Sequence, residues 1–137
     1  SYRDRSVSEM RKRLTDKKFG PQVVEYAIER MMEYGYLDDQ AFAKELAQAQ
    51  LERGRGRRAA QSALYKSGLD AELIQEALDQ AYSSGEDEIA AALRWLERKP
   101  LPAEAKDRQR LLRGLASRGF SFDIAREALE RHERGED

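Results

Sequence analysis

A chain that repeats its own apolar pattern at a fixed interval is built from stacked copies of one unit, and here the interval is about fifty residues. Leu14, Lys18, Phe19, Val23, Ala27 and Ile28 fall on Leu64, Gly68, Leu69, Leu73, Ala77 and Leu78 after a shift of 50. A further shift of 51 places the second set on Leu115, Gly119, Phe120, Ile124, Ala128 and Leu129. In each copy an apolar-periodic helix ends, two or three residues turn, and a new helix starts at a residue suited to open it. Gly20 followed by Pro21, then Asp70, then Ser121 occupy that opening position. Gly68 and Gly119 fall where the preceding helix must close with a left-handed residue.

A further helix leads the second and third copies, one opening at Asp38 and Asp39 and running to about Arg53, the other spanning about Asp87 to Arg98. Phe42 and Leu46 shift by 50 onto Ala92 and Leu96. The first copy has no such leader and begins with Ser6 and Glu9 in the spacing of a capping box. The pattern therefore predicts an all-α chain of about eight helices in tandem three-helix repeats, elongated and curved. The expected units are 1–35 (two helices), 36–84, and 85–137 with a charged tail. Gly35, Gly54 with Gly56, Ser83 to Gly85, and Pro100 with Pro102 supply the breaks, and no period-two stretch proposes a strand.

Composition agrees with thin modules rather than one deep core: 37% of residues are charged and only 8% aromatic. With no cysteine, disulfides and thiolate chemistry are excluded, which fits a reducing, cytoplasmic setting. No apolar run reaches the roughly 20 residues that span a bilayer. The abrupt start, Ser1-Tyr2-Arg3-Asp4-Arg5, has neither an initiator methionine nor a signal core and reads as trimmed. Net charge is −1, but Arg53 to Leu69 holds five bases and no acid, while Ser67 to Leu93 holds seven acids and no base. Basic and acidic surfaces therefore alternate along the chain.

Few residues invite catalysis. His132, the one histidine, lies among Glu130, Arg131, Glu133 and Arg134 and reads as solvated. Asp38 and Asp39 lack further oxygen ligands at cation-loop spacing and read as helix caps, with Tyr36 and Leu37 packing between copies. No catalytic, cofactor or metal site is expected. The run Gly54-Arg55-Gly56-Arg57-Arg58 could bind phosphate or an acidic surface, or could be a turn with solvated arginines; its spacing is not that of a P-loop. Arg108 falls on Arg57 by the shift of 51, and Arg118 falls on Lys17 through Ser67, so basic groups recur on related faces. Phe120 shares its register with Phe19 and Leu69 and belongs in a core, whereas Phe122 is free to be exposed. Trp95 either packs between helices or anchors a partner.

Tyr34-Gly35-Tyr36-Leu37-Asp38-Asp39, followed by Phe42 and Ala43, resembles the hallmark of the RecX family, regulators of the bacterial recombinase RecA. Gly54 through Arg58 to Leu64 and Gly68 resembles the family's basic turn and following helix, and Arg118-Gly119-Phe120-Ser121 its last-copy motif. Ser6, Glu9, Arg11, Leu14 and Phe19 are similar to its opening copy. The resemblance implies a non-enzymatic regulator that binds RecA–DNA filaments and limits their extension, ATPase and strand exchange. The alternative is a helical DNA-binding protein that competes for single strands. Candidate contacts are Arg55, Arg57, Arg58, Arg108, Arg113 and Arg118, with Asp38, Asp39, Phe42, Gly68, Gly119 and Phe120 as structural motif positions. A monomer is expected, with weak DNA affinity at most and no membrane partner.

Overall fold

The computed structural model describes residues 5–136, and they form eight α-helices and no strand. In chain order these are α1 (Val7–Asp16), α2 (Pro21–Glu33), α3 (Asp39–Glu52), α4 (Arg57–Lys66), α5 (Ala71–Ala81), α6 (Gly85–Leu96), α7 (Ala105–Ser117) and α8 (Phe122–Glu133). Each start has a local cause. The Ser6 hydroxyl accepts from the Glu9 amide at 3.1 Å while the Ser6 amide donates to the Glu9 carboxylate at 3.0 Å, which completes the expected capping box. Asp38 and Ser121 accept from Ala41 and Ile124, and Gly20 precedes Pro21 at the first helical position. Asp70 takes the extended conformation of a cap without a side-chain bond to the helix. The leader of the third copy starts at Gly85, two residues before the position expected, because Gly85 and Glu86 continue the helix ahead of Asp87.

Helix α1 packs on α2, α3 on α4 and α5, and α8 on both α6 and α7, while α3 also touches α6. One core runs from Phe42 and Ala47 through Leu64, Leu69, Leu78 and Leu96 to Leu115, Phe120 and Leu129; a separate small one joins Val24, Ile28 and Leu37. Accessible surface is 8759 Å², about a fifth above the roughly 7,300 Å² of a compact monomer of this mass. Thin units stacked end to end account for the excess.

Three expectations change. Phe19 is half exposed although its register partners Leu69 and Phe120 are buried, because the described residues supply no leading helix over this side of α2. Tyr36 is exposed, and only Leu37 of that pair packs inward. His132 is buried rather than solvated, since it continues the inward face of Ala125, Ala128 and Leu129 at helical spacing.

Lys18, in the register of Gly68 and Gly119, has φ of 74°, the one non-glycine among the described residues with positive φ. A left-handed lysine costs about 1–2 kcal/mol, partly offset by the extra unfolded-state freedom that glycine would bring. Lys18→Gly is expected to stabilise the chain by about 0.5–1 kcal/mol, as read from the midpoint of urea unfolding.

Candidate partner-binding surface

The units meet through two related joints. At the first, the Ser6 hydroxyl donates to the Ser67 carbonyl at 2.5 Å, and the Val7 amide donates to the Asp39 carboxylate at 2.8 Å. At the second, the Gly56 amide donates to the Arg118 carbonyl at 2.9 Å, the Arg58 amide to the Gly119 carbonyl at 3.1 Å, and the Arg57 amide to the Glu88 carboxylate at 2.9 Å. Ser6, Val7 and Ser67 shift onto Gly56, Arg57 and Arg118, so the two joints fall at matching places in the repeat, although their carboxylates, Asp39 and Glu88, lie one register position apart. Each uses a first-turn carboxylate of the next leading helix to take an otherwise unpaired amide. Burial holds the Asp39 carboxyl above the usual carboxylate range, against the pull of the Val7 amide, with the Asp70, Asp38 and Glu9 charges adding to the rise.

Close approach demands glycine here. A side chain at Gly68 would overlap Ser8, one at Gly119 would overlap Ala59, and one at Gly56 would overlap the Gly119 carbonyl and the Phe120 amide. Gly68 and Gly119 also have positive φ, as their closing role requires.

Beside the second joint lies an open groove of about 640 Å³ between α4 and the end of α7. Arg55, Arg58 and Lys66 line it together with Gln50, Ser62 and Ser117, over a floor that includes Ala59, Ala63 and Gly119, and no acid lines it. Arg55 is held by its main chain: its carbonyl accepts from the buried Tyr82 hydroxyl at 2.9 Å and its amide donates to Gln50. Burial raises the Tyr82 phenol, so that hydroxyl stays protonated as the donor. The Arg55 side chain is exposed. Arg113, exposed on α7, stands one turn before Ala116 and Ser117 of the groove wall.

The six candidate arginines divide into two sets. Arg57 donates to the Leu78 carbonyl at 3.2 Å and pairs with Asp79 at 2.7 Å, and that hydrogen bond is the main cause holding the Asp79 carboxyl below its usual range. Arg108 grips Glu133 with both arms at 2.9–3.2 Å and ties α7 to α8. Arg118 reaches the Gly54 and Arg53 carbonyls through long bonds of 3.4 Å. Arg55, Arg58 and Arg113 pair with no acid among the described residues. Arg58 lies in the first turn of α4, where the helix macrodipole disfavours a cation by about 0.3–1 kcal/mol. A cation that costs stability and has no internal partner suits an external one.

Lys66, Arg53, Arg94 and Arg98 were not among the sequence candidates. On the far side of Arg118, Arg53, Arg94 and Arg98 line a second, smaller groove with Trp95 and a single acid, Glu52. The separation of Arg94 and Arg98 by one helical turn is a signal that the sequence does carry. Trp95 packs against the core with the Lys99 ammonium 4.6 Å from its ring centroid, and Gly114 leaves room for the indole. Phe122 is exposed under Arg126, whereas Phe120 is fully buried. Asp38 caps α3 and Phe42 sits in the core. Among the described residues no group of three His, Cys, Asp or Glu could hold a metal ion and no helix is long and apolar enough to cross a membrane.

Three family models match in order along the chain: RecX, first three-helix domain, at residues 1–31; the second at 38–78; and the third at 86–129. The chain belongs to the RecX family. A regulatory protein RecX from Trichlorobacter lovleyi is 31% identical over 136 residues, covering 94% of this chain and 87% of that protein. The regulatory protein RecX of Bacillus subtilis is 33% identical over 138 residues, covering 97% of this chain but 52% of its own length, so the chain spans about half of that relative. The crystal structure of RecX from Lactobacillus salivarius superposes with a TM-score of 0.80 at 15% identity, over 93% of this chain and 84% of that one. That likeness shows the RecX fold, and the named relatives make this a RecX-type regulatory protein.

Proposed function

We propose that this chain binds the RecA–DNA filament in the cytoplasm and, without catalysis of its own, limits filament extension, ATP hydrolysis and strand exchange. The observation that carries this reading is the acid-free groove at the second joint. Arg55, Arg58 and Lys66 there, with Arg113 beside it, face solvent on a rigid helical frame and meet no internal carboxylate. Such a surface suits an acidic protein face, and near-zero net charge keeps the rest of the molecule from coating nucleic acid indiscriminately.

The test is RecA's single-stranded-DNA-dependent ATPase, titrated with this chain at amounts well below RecA. Suppression at those amounts is expected. The double variant Arg55→Glu, Arg58→Glu should need about tenfold more protein for the same suppression. Its helix content and melting temperature should hold or rise, because glutamate in the first turn of α4 favours the macrodipole. Equal loss of suppression and of helix content would reassign these arginines to folding.

The second groove favours one other reading. Arg53, Arg94 and Arg98 beside Trp95 combine charge and an aromatic in a way that suits single-stranded DNA. In that case suppression would appear only as the protein saturates the strands, and would fall steeply with added salt as phosphate contacts are lost.

A further inference from the structure

Charge in this chain is sorted by position within the unit. Helices α1, α4 and α7, which hold the same place in the three units, carry more bases than acids: α4 has Arg57, Arg58 and Lys66 with no acid, and α7 has four bases against Asp107. Each of the other five helices carries more acids than bases. The bases also share a face. Arg5, Glu9 and Lys12 shift by 50 onto Arg55, Ala59 and Ser62, and these by 51 onto Lys106, Arg110 and Arg113, a spacing of four and seven residues that keeps each trio on one side of its helix. Arg5, Glu9 and Lys12 line one open concavity with Arg13 and Lys17, just as Arg55, Ala59 and Ser62 line the groove of the second joint.

The joints set these three helices end to end. At the first, Ser6 at the start of α1 bonds the Ser67 carbonyl at the end of α4, and at the second Gly56 and Arg58 at the start of α4 bond Arg118 and Gly119 at the end of α7. Ten to thirteen residues make each helix about 15–20 Å long, so a basic step recurs at that interval from α7 through α4 to α1. The second and third units each include a leading helix, α3 and α6, and still leave Arg55, Lys66, Arg110 and Arg113 exposed, so the exposure belongs to the face itself. The steps are unequal: Glu9 and Asp16 offset the bases of α1, whereas no acid lines the groove beside α4.

Acid-rich neighbours border this ridge, because α1 packs on α2, α4 on α3 and α5, and α7 on α8. A continuous polyanion wider than the ridge meets those acids, while separate acidic patches one step apart meet bases alone. We propose that α7, α4 and α1 form one binding track for a polymeric protein partner whose identical subunits each present an acidic patch. The inference rests on the filament reading above and extends it: all three units bind in register, and the groove at the second joint is the middle contact of three. Linked contacts of this kind raise affinity beyond that of any one step.

The test is binding of the full chain, labelled at its N-terminus, to RecA filaments on single-stranded DNA, followed by anisotropy. Arg110→Glu with Arg113→Glu, and Arg55→Glu with Arg58→Glu, should each weaken binding about tenfold, and Lys12→Glu with Arg13→Glu about threefold. Combining two pairs should multiply their effects, since the steps are far apart. All six positions are exposed, so circular dichroism of the variants should match the parent; if a glutamate pair loses helix content, the matching alanine pair takes its place. Weakening by the α4 pair alone would overturn the track and leave the filament reading standing, whereas no weakening by any pair would remove both. Equal affinity for bare single-stranded DNA, lost in the same variants, would assign the ridge to nucleic acid and overturn the proposal.

Discussion

Gly56→Ala is expected to cost this chain about 3 kcal/mol, whereas Gly20→Ala should cost only a few tenths. The two glycines form a matched pair. Both open a helix without a side-chain cap, and both have ordinary extended backbone, φ −81° and ψ 169° at Gly56, φ −69° and ψ 158° at Gly20. Neither position needs glycine for its own conformation. What differs is the neighbour: nothing lies near a side chain at Gly20, while one at Gly56 would overlap the main chain of Gly119 and Phe120. Overpacking costs about 1–3 kcal/mol. Parting the two strands of the joint also strains the bonds from Gly56 to Arg118 and from Arg58 to Gly119, each worth about 1 kcal/mol. In a chain of this size the sum lowers the melting temperature by about 10 °C. Equal small losses at both glycines would mean that the units do not depend on this joint.

Phe120→Ala should be more costly still, at about 3–5 kcal/mol, because a fully buried ring leaves a cavity that the neighbours cannot close. The same substitution at Phe19, one register position in another unit, should cost well under 1 kcal/mol, since a half-exposed ring leaves no enclosed void. Chemical denaturation of the two single variants gives the comparison directly. A large loss at Phe19 would show that this face is covered in the free protein.

The contrast between these two phenylalanines also marks how far sequence reasoning reached. The helices were legible because apolar spacing, capping serines and closing glycines are local signals, and Leu64, Leu115 and Phe120 lie in the core their register predicts. Register, however, reports a position within a unit and not whether the described residues include the helix that would cover it, and so Phe19 misled. His132 misled for the converse reason: its charged sequence neighbours point outward while its own spacing continues the inward face of α8. The arginines show the same limit. Nothing in the order of residues pairs Arg108 with Glu133, 25 positions later, or brings Arg57 to Asp79. The second joint left the faintest trace of all, because its bonds run between amides and carbonyls, and only Gly56, Gly119 and the Glu88 carboxylate appear in the sequence as side-chain choices.

That economy has a consequence for how such a protein can change. A joint written in main-chain atoms leaves most side chains around it free to vary without altering the step from one unit to the next. Substitutions on the outward faces of α4 and α7 can then accumulate as a partner's surface drifts, while a few glycines and a carboxylate preserve the geometry. Saturation mutagenesis should read as two maps laid over each other: a sparse intolerant one tracing the joints and cores, and a permissive one over everything that faces outward.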